Sequence, residues 1–378
     1  MNIPTSLYIH IPWCIKKCPY CDFNSHQKNE DMHEMHYVNC LLRDIEIDAQ
    51  SFPRTTCHSI FIGGGTPSLF SAEAYEYLFS GLKKVMNWSP EMEITIEANP
   101  GTLELGRFKE FYDVGINRLS IGVQSFHDVF LKRLGRIHDG KMAQLAIETA
   151  QQAGFARINL DLMYGLPGQS VEDAALDLKT ALSWQTEHLS WYELTIEPNT
   201  LFYKRPPEQP KDEVFEQIEQ TGYVLLQDAG FERYEVSAFA KHQAYAQHNL
   251  NYWLFGDYYG IGAGAHGKLT QAPSQYVRTA KVRQPKSYMQ SHHSFMAEQK
   301  QIDTASEICF EFMLNATRLL RPISKHIFQE RTGLPLERLT PFLRIAAEKG
   351  WINLREHEWQ NTTFGLKYNN EWLQMFLE

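Results

Sequence analysis

The chain is poor in cysteine, with six among 378 residues. That is too few for a disulfide scaffold in a protein of this length. No apolar run approaches the ~18 residues that a membrane-crossing helix needs. The opening Met1-Asn2-Ile3-Pro4-Thr5 has no basic stretch followed by an apolar core, so it does not read as a signal peptide. Positive charge is in deficit, with a formal net charge of −9. The protein therefore has no global attraction to nucleic acid or anionic lipid. Internal repeats and low-complexity tracts are missing too. Together these absences point to a reducing cytoplasm, where closely spaced cysteines are more often ligands than disulfides. What is present is an ordinary soluble balance, 43% hydrophobic and 21% charged. It excludes wholesale disorder and allows a large core.

The first half alternates strand-like and helix-like segments. Strands are expected at 6–11, 59–62, 93–98, 118–123, 157–163 and 189–196. Helices are expected at 30–50, from Ser71 onward, and at 102–114, 140–153 and 171–184. Met35, Val38, Leu41, Leu42 and Ile45 mark the apolar face of the first helix. Such alternation implies an α/β architecture of parallel strands with right-handed crossovers, as an open sheet or a full or partial barrel. Either way, the active site lies at the C-terminal ends of the strands. After Glu197 the pattern breaks at Pro198, Pro206, Pro207 and Pro210, and one more helix follows at 213–229. Residues 234–291 are rich in glycine, aromatics and histidine and read as irregular. From Ile302 three short helices and a small hairpin suggest a winged-helix-like α+β module. The expected division is 1–235, 236–300 and 301–378.

Cys14, Cys18 and Cys21 form C-x3-C-x2-C just after the first strand. Three thiolates within eight residues can grip one metal centre from a single loop. A structural zinc would need a fourth protein ligand. An iron–sulfur cluster held by three thiolates leaves one iron open to a small molecule. Cys40, Cys57 and Cys309 are isolated and read as buried small hydrophobes. Gly63-Gly64-Gly65-Thr66-Pro67 follows the second strand and lets the backbone approach a ligand closely. No Lys-Ser/Thr follows it, so it is not a phosphate-binding P-loop. Glu97, Gln124 and Asp161 lie at or near strand ends, where polar groups suit hydrogen bonds to a ligand.

The cysteine spacing resembles that of the radical S-adenosylmethionine (SAM) superfamily, and Tyr20 fills the aromatic position before the third cysteine. The resemblance implies a partial (β/α)6 barrel and a 4Fe–4S cluster whose open iron is chelated by SAM. Within the superfamily, four segments are similar to the coproporphyrinogen III oxidase-like family. They are Tyr8-Ile9-His10-Ile11-Pro12-Trp13-Cys14, Gly63–Pro67, Gly122-Val123-Gln124-Ser125-Phe126 and Asp161-Leu162-Met163-Tyr164-Gly165-Leu166-Pro167-Gly168. Carried over by motif, Tyr8, Gly64, Gly65, Thr66, Glu97, Gln124, Arg136 and Asp161 would line the SAM site. In the oxidase some of these positions meet a second SAM.

Two features depart from the oxidase. Phe23 stands where the oxidase has a further cysteine, and only 13 residues precede Cys14, leaving little chain to cover a tetrapyrrole from that side. Gln247-His248-Asn249-Leu250-Asn251-Tyr252-Trp253 contains H-N-x-x-Y-W, which is similar to the heme-associated motif of the HemW-like heme chaperones of the same family. By that resemblance His248, Asn249, Tyr252 and Trp253 would contact heme. Histidine commonly ligates heme iron, and Tyr and Trp offer flat apolar faces. The resemblance implies delivery of heme to apo-hemoproteins such as respiratory enzymes, from the cytoplasm with peripheral contact at the inner face of the membrane. The alternatives are oxygen-independent coproporphyrinogen oxidation and a zinc-binding adaptor. Gly262-x-Gly264-x-x-Gly267 imitates a dinucleotide fingerprint but lacks the surrounding βαβ unit and the later acidic residue. It reads as tight backbone near the cofactors, with His266 a second candidate contact. Residues 301–378 carry nine Lys/Arg and ten Asp/Glu, which argues against DNA reading and for packing or docking.

Overall fold

Strand β1 (Thr5–Ile11) alternates Ser6, Tyr8 and His10 with Leu7, Ile9 and Ile11. The same alternation recurs along the parallel wall of the computed structural model, which describes residues 3–28, 32–52, 56–101 and 106–377. After the short pair β2 (Trp13–Cys14) and β3 (His26–Gln27) come β4 (Thr56–Gly64), β5 (Asn87–Ala98), β6 (Arg118–Gln124), β7 (Arg157–Tyr164) and β8 (His188–Glu193). The remaining strands of the main sheet are β9 (Glu232–Arg233), β10 (Ala238–Ala240), β11 (Asp257–Ile261), β12 (His266–Ala272), β13 (Gln275–Lys281) and β14 (Met296–Ile302). The twelve-stranded order is β14-β13-β12-β11-β1-β4-β5-β6-β7-β8-β10-β9. Strands β1, β4, β5, β6, β7 and β8 run parallel in sequence order, giving the expected six-stranded partial barrel wall.

Residues of one parity on these strands form the main apolar core with the outer helices. They include Leu7, Ile9, Ile60, Ile62, Ile94, Ile96, Leu119, Ile121, Leu160 and Leu189. The other parity is polar and hydrogen-bonds across strands. Ser6 pairs with Ser59 (2.7 Å) and Asn159 donates to Ser120 (2.8 Å). His188 bonds to Asn159 through Nδ1 (2.6 Å) and to Tyr234 through Nε2 (2.9 Å). Parallel strands usually read as continuous apolar runs because both faces are covered by apolar side chains. Here one face is apolar and the concave face is a polar lumen.

Local signals place the helices. Ser71 caps Ala72–Val85 by accepting from Ala74 N–H. Asp139 caps Gly140–Gln152. Ser170 and Asp173 form a reciprocal capping box at Val171–Ser183. The first helix runs Glu34–Ser51 and buries Val38, Leu41 and Ile45 as expected, but Met35 is exposed and Asp44 and Asp48 are buried. The expected starts of this helix near residue 30 and of the one expected at 102–114 fall outside the described residues.

Residues 236–300, expected as irregular, are mostly regular. Strand β11 adds in parallel to β1, and β12–β14 continue the sheet antiparallel. The hairpin between β12 and β13 turns at Pro273-Ser274, where Ser274 adopts φ 58. A short helix, Gln247–Trp253, carries the H-N-x-x-Y-W segment. The expectation failed because the glycines there sit within or beside strands and pack tightly, rather than forming loops.

A second apolar core gathers Tyr234, Phe255, Phe312, Phe328, Trp359 and Trp372. In the last eighty residues, helix Ala305–Ala316, β15 (Ile323–Ser324), helices Lys325–Thr332 and Thr340–Glu348, β16 (Ile352–Leu354) and β17 (Glu358–Asn361) follow one another. Strand β17 pairs antiparallel with both β15 and β16 in a small three-stranded sheet. Among the described residues, no helix is long and apolar enough to cross a membrane.

Candidate cofactor site

The cysteine loop springs from the C-terminal end of β1. Cys14 lies in β2, and Cys21 N–H donates to Cys18 O (3.2 Å). Lys17 Nζ ties the loop by donating to Phe23 O (3.1 Å) and Ser25 O (3.2 Å). Cys14, Cys18 and Cys21 are half-buried free thiols, whereas Cys40, Cys57 and Cys309 are buried away from them. Arg136 Nη1 donates to Cys18 Sγ (3.7 Å), and Cys21 Sγ lies 3.7 Å from Ser25 Oγ. Burial pushes the Cys14 and Cys21 thiols up. Among the described residues, no trio of His, Cys, Asp or Glu stands in a finished metal-coordination arrangement. The fit to a cluster rests on the donor set: three unpaired thiols on one short loop beside a guanidinium and exposed backbone.

The glycine turn abuts this loop. Gly65 N–H donates to Ile11 O (2.8 Å) and Thr66 N–H to Trp13 O (2.7 Å). A Cβ on Gly65 would sit 2.5 Å from Trp13 O; one on Gly64, at φ +114, would sit 2.5 Å from the His10 ring. Glycine is required at both positions. Gly65→Ala is expected to cost about 1–3 kcal/mol through overpacking against backbone. Chemical denaturation should show the loss, with weaker SAM binding in the folded fraction; unchanged stability and affinity would refute the close-approach argument.

Glu97 accepts from Gly64 N–H (3.0 Å). Burial, reinforced by the Asp161 charge, pushes its carboxyl up to about 7. Asp161 accepts from Ser120 (3.0 Å) and Asn159 (2.9 Å), and burial raises it as well. Gln124 ends β6 at φ 67 and accepts from Tyr192 OH (2.9 Å). Arg136 donates to Asn99 Oδ1 (2.5 Å) and Gly122 O (2.8 Å), and Asn99 donates to Thr66 Oγ1 (2.9 Å). Tyr20 packs against Phe202, with ring centroids 6.3 Å apart. Tyr8 OH donates to His10 Nδ1 (2.9 Å), whose Nε2 donates to Asn24 O (2.9 Å).

These residues do not share one chamber. Cys18, Thr66, Asn99 and Arg136 line a pocket of about 30 Å³ beside the cysteine loop. Tyr8, Gly64 and Glu97 line a neighbouring cavity of about 480 Å³, together with Tyr252 from the H-N-x-x-Y-W helix. Asp161 and Gln124 belong to the polar lumen network.

The H-N-x-x-Y-W residues separate. His248 is 1% exposed and sealed: Nδ1 bonds to Ser59 Oγ (3.1 Å) and Nε2 to Tyr252 OH (2.8 Å), with the ring stacked on Phe61 at 5.2 Å. Neither nitrogen is free to ligate iron in this arrangement. Trp253 does not line the cavity; its ring lies under Arg318 (4.5 Å) and packs on the second core. Asn249 is half-buried, and only Tyr252 faces the cavity. Tyr252 and Trp253 are adjacent and point about 100° apart, which sends the first to the cavity and the second to the second core.

Burial, with Arg118 nearby, depresses His248 to about 3. The unfolded chain therefore binds one more proton than the native state between pH 6.5 and about 3. His248 stabilises fully above pH 6.5 and loses about 1.4 kcal/mol per unit as pH falls through that window. His248→Gln should flatten this part of the acid-unfolding curve, at a lower baseline stability. An unaltered slope would refute a buried neutral imidazole.

Sequence reasoning missed several cavity residues. Tyr258 and Arg283 carried no motif, Asn24 follows the cysteine cluster, and Phe23 was weighed only as a lost cysteine; all four line the cavity. The glycine segment does supply tight backbone. The Gly262 position would clash with His10 O (2.4 Å) and that of Gly264 with Asn24 (2.4 Å) if either bore a Cβ.

A partial barrel with three free thiols on the loop after its first strand defines a radical SAM protein, and the radical SAM superfamily model matches residues 8–181. Membership implies a 4Fe–4S cluster and SAM. The chain is 46% identical to "Heme chaperone HemW" of Haemophilus influenzae, covering 99% of this chain and 98% of that one. It is also 46% identical to the protein of the same name from Escherichia coli K12, with the same coverage. The chain belongs to the HemW family. Its fold is that of the coproporphyrinogen III oxidase HemN of E. coli, with a TM-score of 0.81 at 22% identity over 99% of this chain and 90% of that chain.

Proposed function

We propose that this protein is a heme chaperone that binds heme and a SAM-ligated 4Fe–4S cluster and delivers heme to apo-hemoproteins such as respiratory enzymes. The full-length 46% identity to two heme chaperones carries the reading. Residues 1–235 would form the radical SAM unit, 236–300 the segment bearing the heme motif, and 301–378 the winged-helix-like module. Cys14, Cys18 and Cys21 would hold the cluster. Tyr8, Tyr20, Gly64, Gly65, Thr66, Glu97, Gln124, Arg136 and Asp161 would shape the SAM site. Bound there, a SAM-ligated cluster supplies one-electron chemistry. Arg136 would set positive charge beside the cluster loop, and Glu97, fixed by Gly64 N–H, would orient polar groups of SAM. Transfer would take place from the cytoplasm, through peripheral contact at the inner face of the membrane.

The fold shared with HemN does not favour coproporphyrinogen oxidation, because at 22% identity it speaks to architecture alone. Anaerobic, cluster-loaded protein is expected to take up heme stoichiometrically and pass it to an apo-hemoprotein. Failure to bind heme would overturn the reading. Conversion of coproporphyrinogen III to protoporphyrinogen IX on the same preparation would replace it with the oxidase.

A further inference from the structure

Part of the lining of the 480 Å³ cavity has a composition of its own. Phe23 is 59% exposed there, beside Tyr252 and Tyr258. Tyr252 and Tyr258 pack edge to face, with centroids 4.3 Å apart, in a rigid aromatic corner. His266, the first residue of β12, is exposed and lines the same cavity. Its ring makes no side-chain hydrogen bond or ion pair among the described residues, unlike the sealed rings of His10 and His248. Arg283 lines the cavity as well. Its carbonyl accepts from Asn24 Nδ2 (2.8 Å), which anchors the backbone, and its exposed guanidinium has no carboxylate partner among the described residues. This part of the lining thus offers flat apolar rings, an open imidazole and an unpaired cation.

Those three groups match the three parts of a heme: its faces, its iron and its propionates. Resting on the heme-chaperone reading, we propose that heme occupies this cavity with His266 as an iron ligand and Arg283 pairing a propionate. Phe23, Tyr252 and Tyr258 flank the porphyrin. Phe23 then takes a positive role: at a position where a thiol would be a competing ligand, it supplies an apolar face. His248 acts behind Tyr252, holding its hydroxyl and hence its ring, and is a positioning residue. Tyr8, Gly64 and Glu97 are less exposed than Phe23, His266 and Arg283 and line the same cavity. Heme beside Phe23, His266 and Arg283 would adjoin SAM beside Tyr8, Gly64 and Glu97, so each should alter the affinity of the other.

The test is a heme titration of the full-length protein followed by optical and electron paramagnetic resonance spectroscopy. His266→Ala is expected to change the ferric spin state and Soret position and to weaken binding at least ~10-fold, with added imidazole restoring the parental spectrum. Arg283→Ala is expected to weaken heme binding ~10-fold, as for one lost charge-assisted pair, and to leave binding of heme dimethyl ester unchanged. Both residues are exposed, so both variants should fold, and circular dichroism checks this. A His266→Ala spectrum and affinity identical to the parent would overturn the ligand assignment while leaving the chaperone reading intact. Equal loss of heme and its dimethyl ester in Arg283→Ala would overturn the propionate pairing. Parent protein that takes up no heme would overturn both proposals together.

Discussion

Replacing Cys14, Cys18 or Cys21 by serine, one at a time, is expected to reduce bound iron and sulfide more than ~100-fold relative to the parent after anaerobic reconstitution. Loss of an outer-shell partner typically costs 10–100-fold in metal affinity, and a direct ligand should cost more. The fold should survive, because the three residues are half-buried on a loop and none belongs to the apolar cores. Far-ultraviolet circular dichroism and denaturation midpoints should therefore stay close to the parent, while Cys40→Ser and Cys57→Ser should keep full iron content. Near-parental iron in any one of the three loop variants would refute the assignment. Zinc in place of iron and sulfide in the parent would revive a structural zinc site.

Lys281→Met is expected to destabilise the protein by about 3–5 kcal/mol, the usual consequence of removing one partner from a buried ion cluster. Lys281 Nζ donates to Asp44 (2.6 Å) and to Asp48 (2.8 Å), and all three side chains are almost fully buried. Tyr288 OH also donates to Asp44 (2.7 Å), and Gly262 N–H contacts the same carboxylate (3.2 Å). The cluster joins the helix Glu34–Ser51 to the antiparallel extension, so breaking it loosens the β11–β14 edge. Burial pushes Asp44 up to about 6, against the pull of Lys281, and raises Asp48 as well. The native state therefore binds more protons than the unfolded chain between pH 3.8 and about 6, and this group stabilises more as pH falls through that window. Without Lys281 both carboxyls move further up, and the variant should recover part of its loss between pH 7.5 and 5. Guanidinium denaturation at the two pH values measures this; a loss below about 1 kcal/mol, independent of pH, would refute the cluster's role.

The buried cluster also shows what the sequence could not reveal. The stripe Val38, Leu41 and Ile45 located the helix correctly because apolar residues at helical spacing face a core. Asp44 and Asp48 continue that same face at helical spacing, but the partner that lets them be buried lies 237 residues away from Asp44. Pairing at such separation leaves no local signature. The barrel strands were legible from their apolar parity, and the cysteine spacing and strand-end polar residues marked a candidate site whose division between two cavities they did not reveal. The polar lumen was also written in the alternation Ser6-Leu7-Tyr8-Ile9-His10-Ile11. The H-N-x-x-Y-W motif was visible, but the direction of each side chain was not. That depends on how one short helical turn enters the barrel, with His248 meeting Ser59 and Trp253 meeting Arg318.

The place of β1 has a consequence for synthesis. It lies between β4 and β11, with Thr5 opposite both Cys57 and Asp257. Emerging from a ribosome at roughly 5–20 residues per second, β1 would wait on the order of ten seconds or more for β11. Until then one edge of β1 has no neighbour, and the cysteine loop that leaves its end lacks the Gly262–Gly264 backbone that later packs on His10 and Asn24. The nascent chain thus carries its thiols on a loop whose neighbours His10 and Asn24 are packed only later. A cluster inserted early would meet the loop before residues 262–283 tie down its neighbour Asn24.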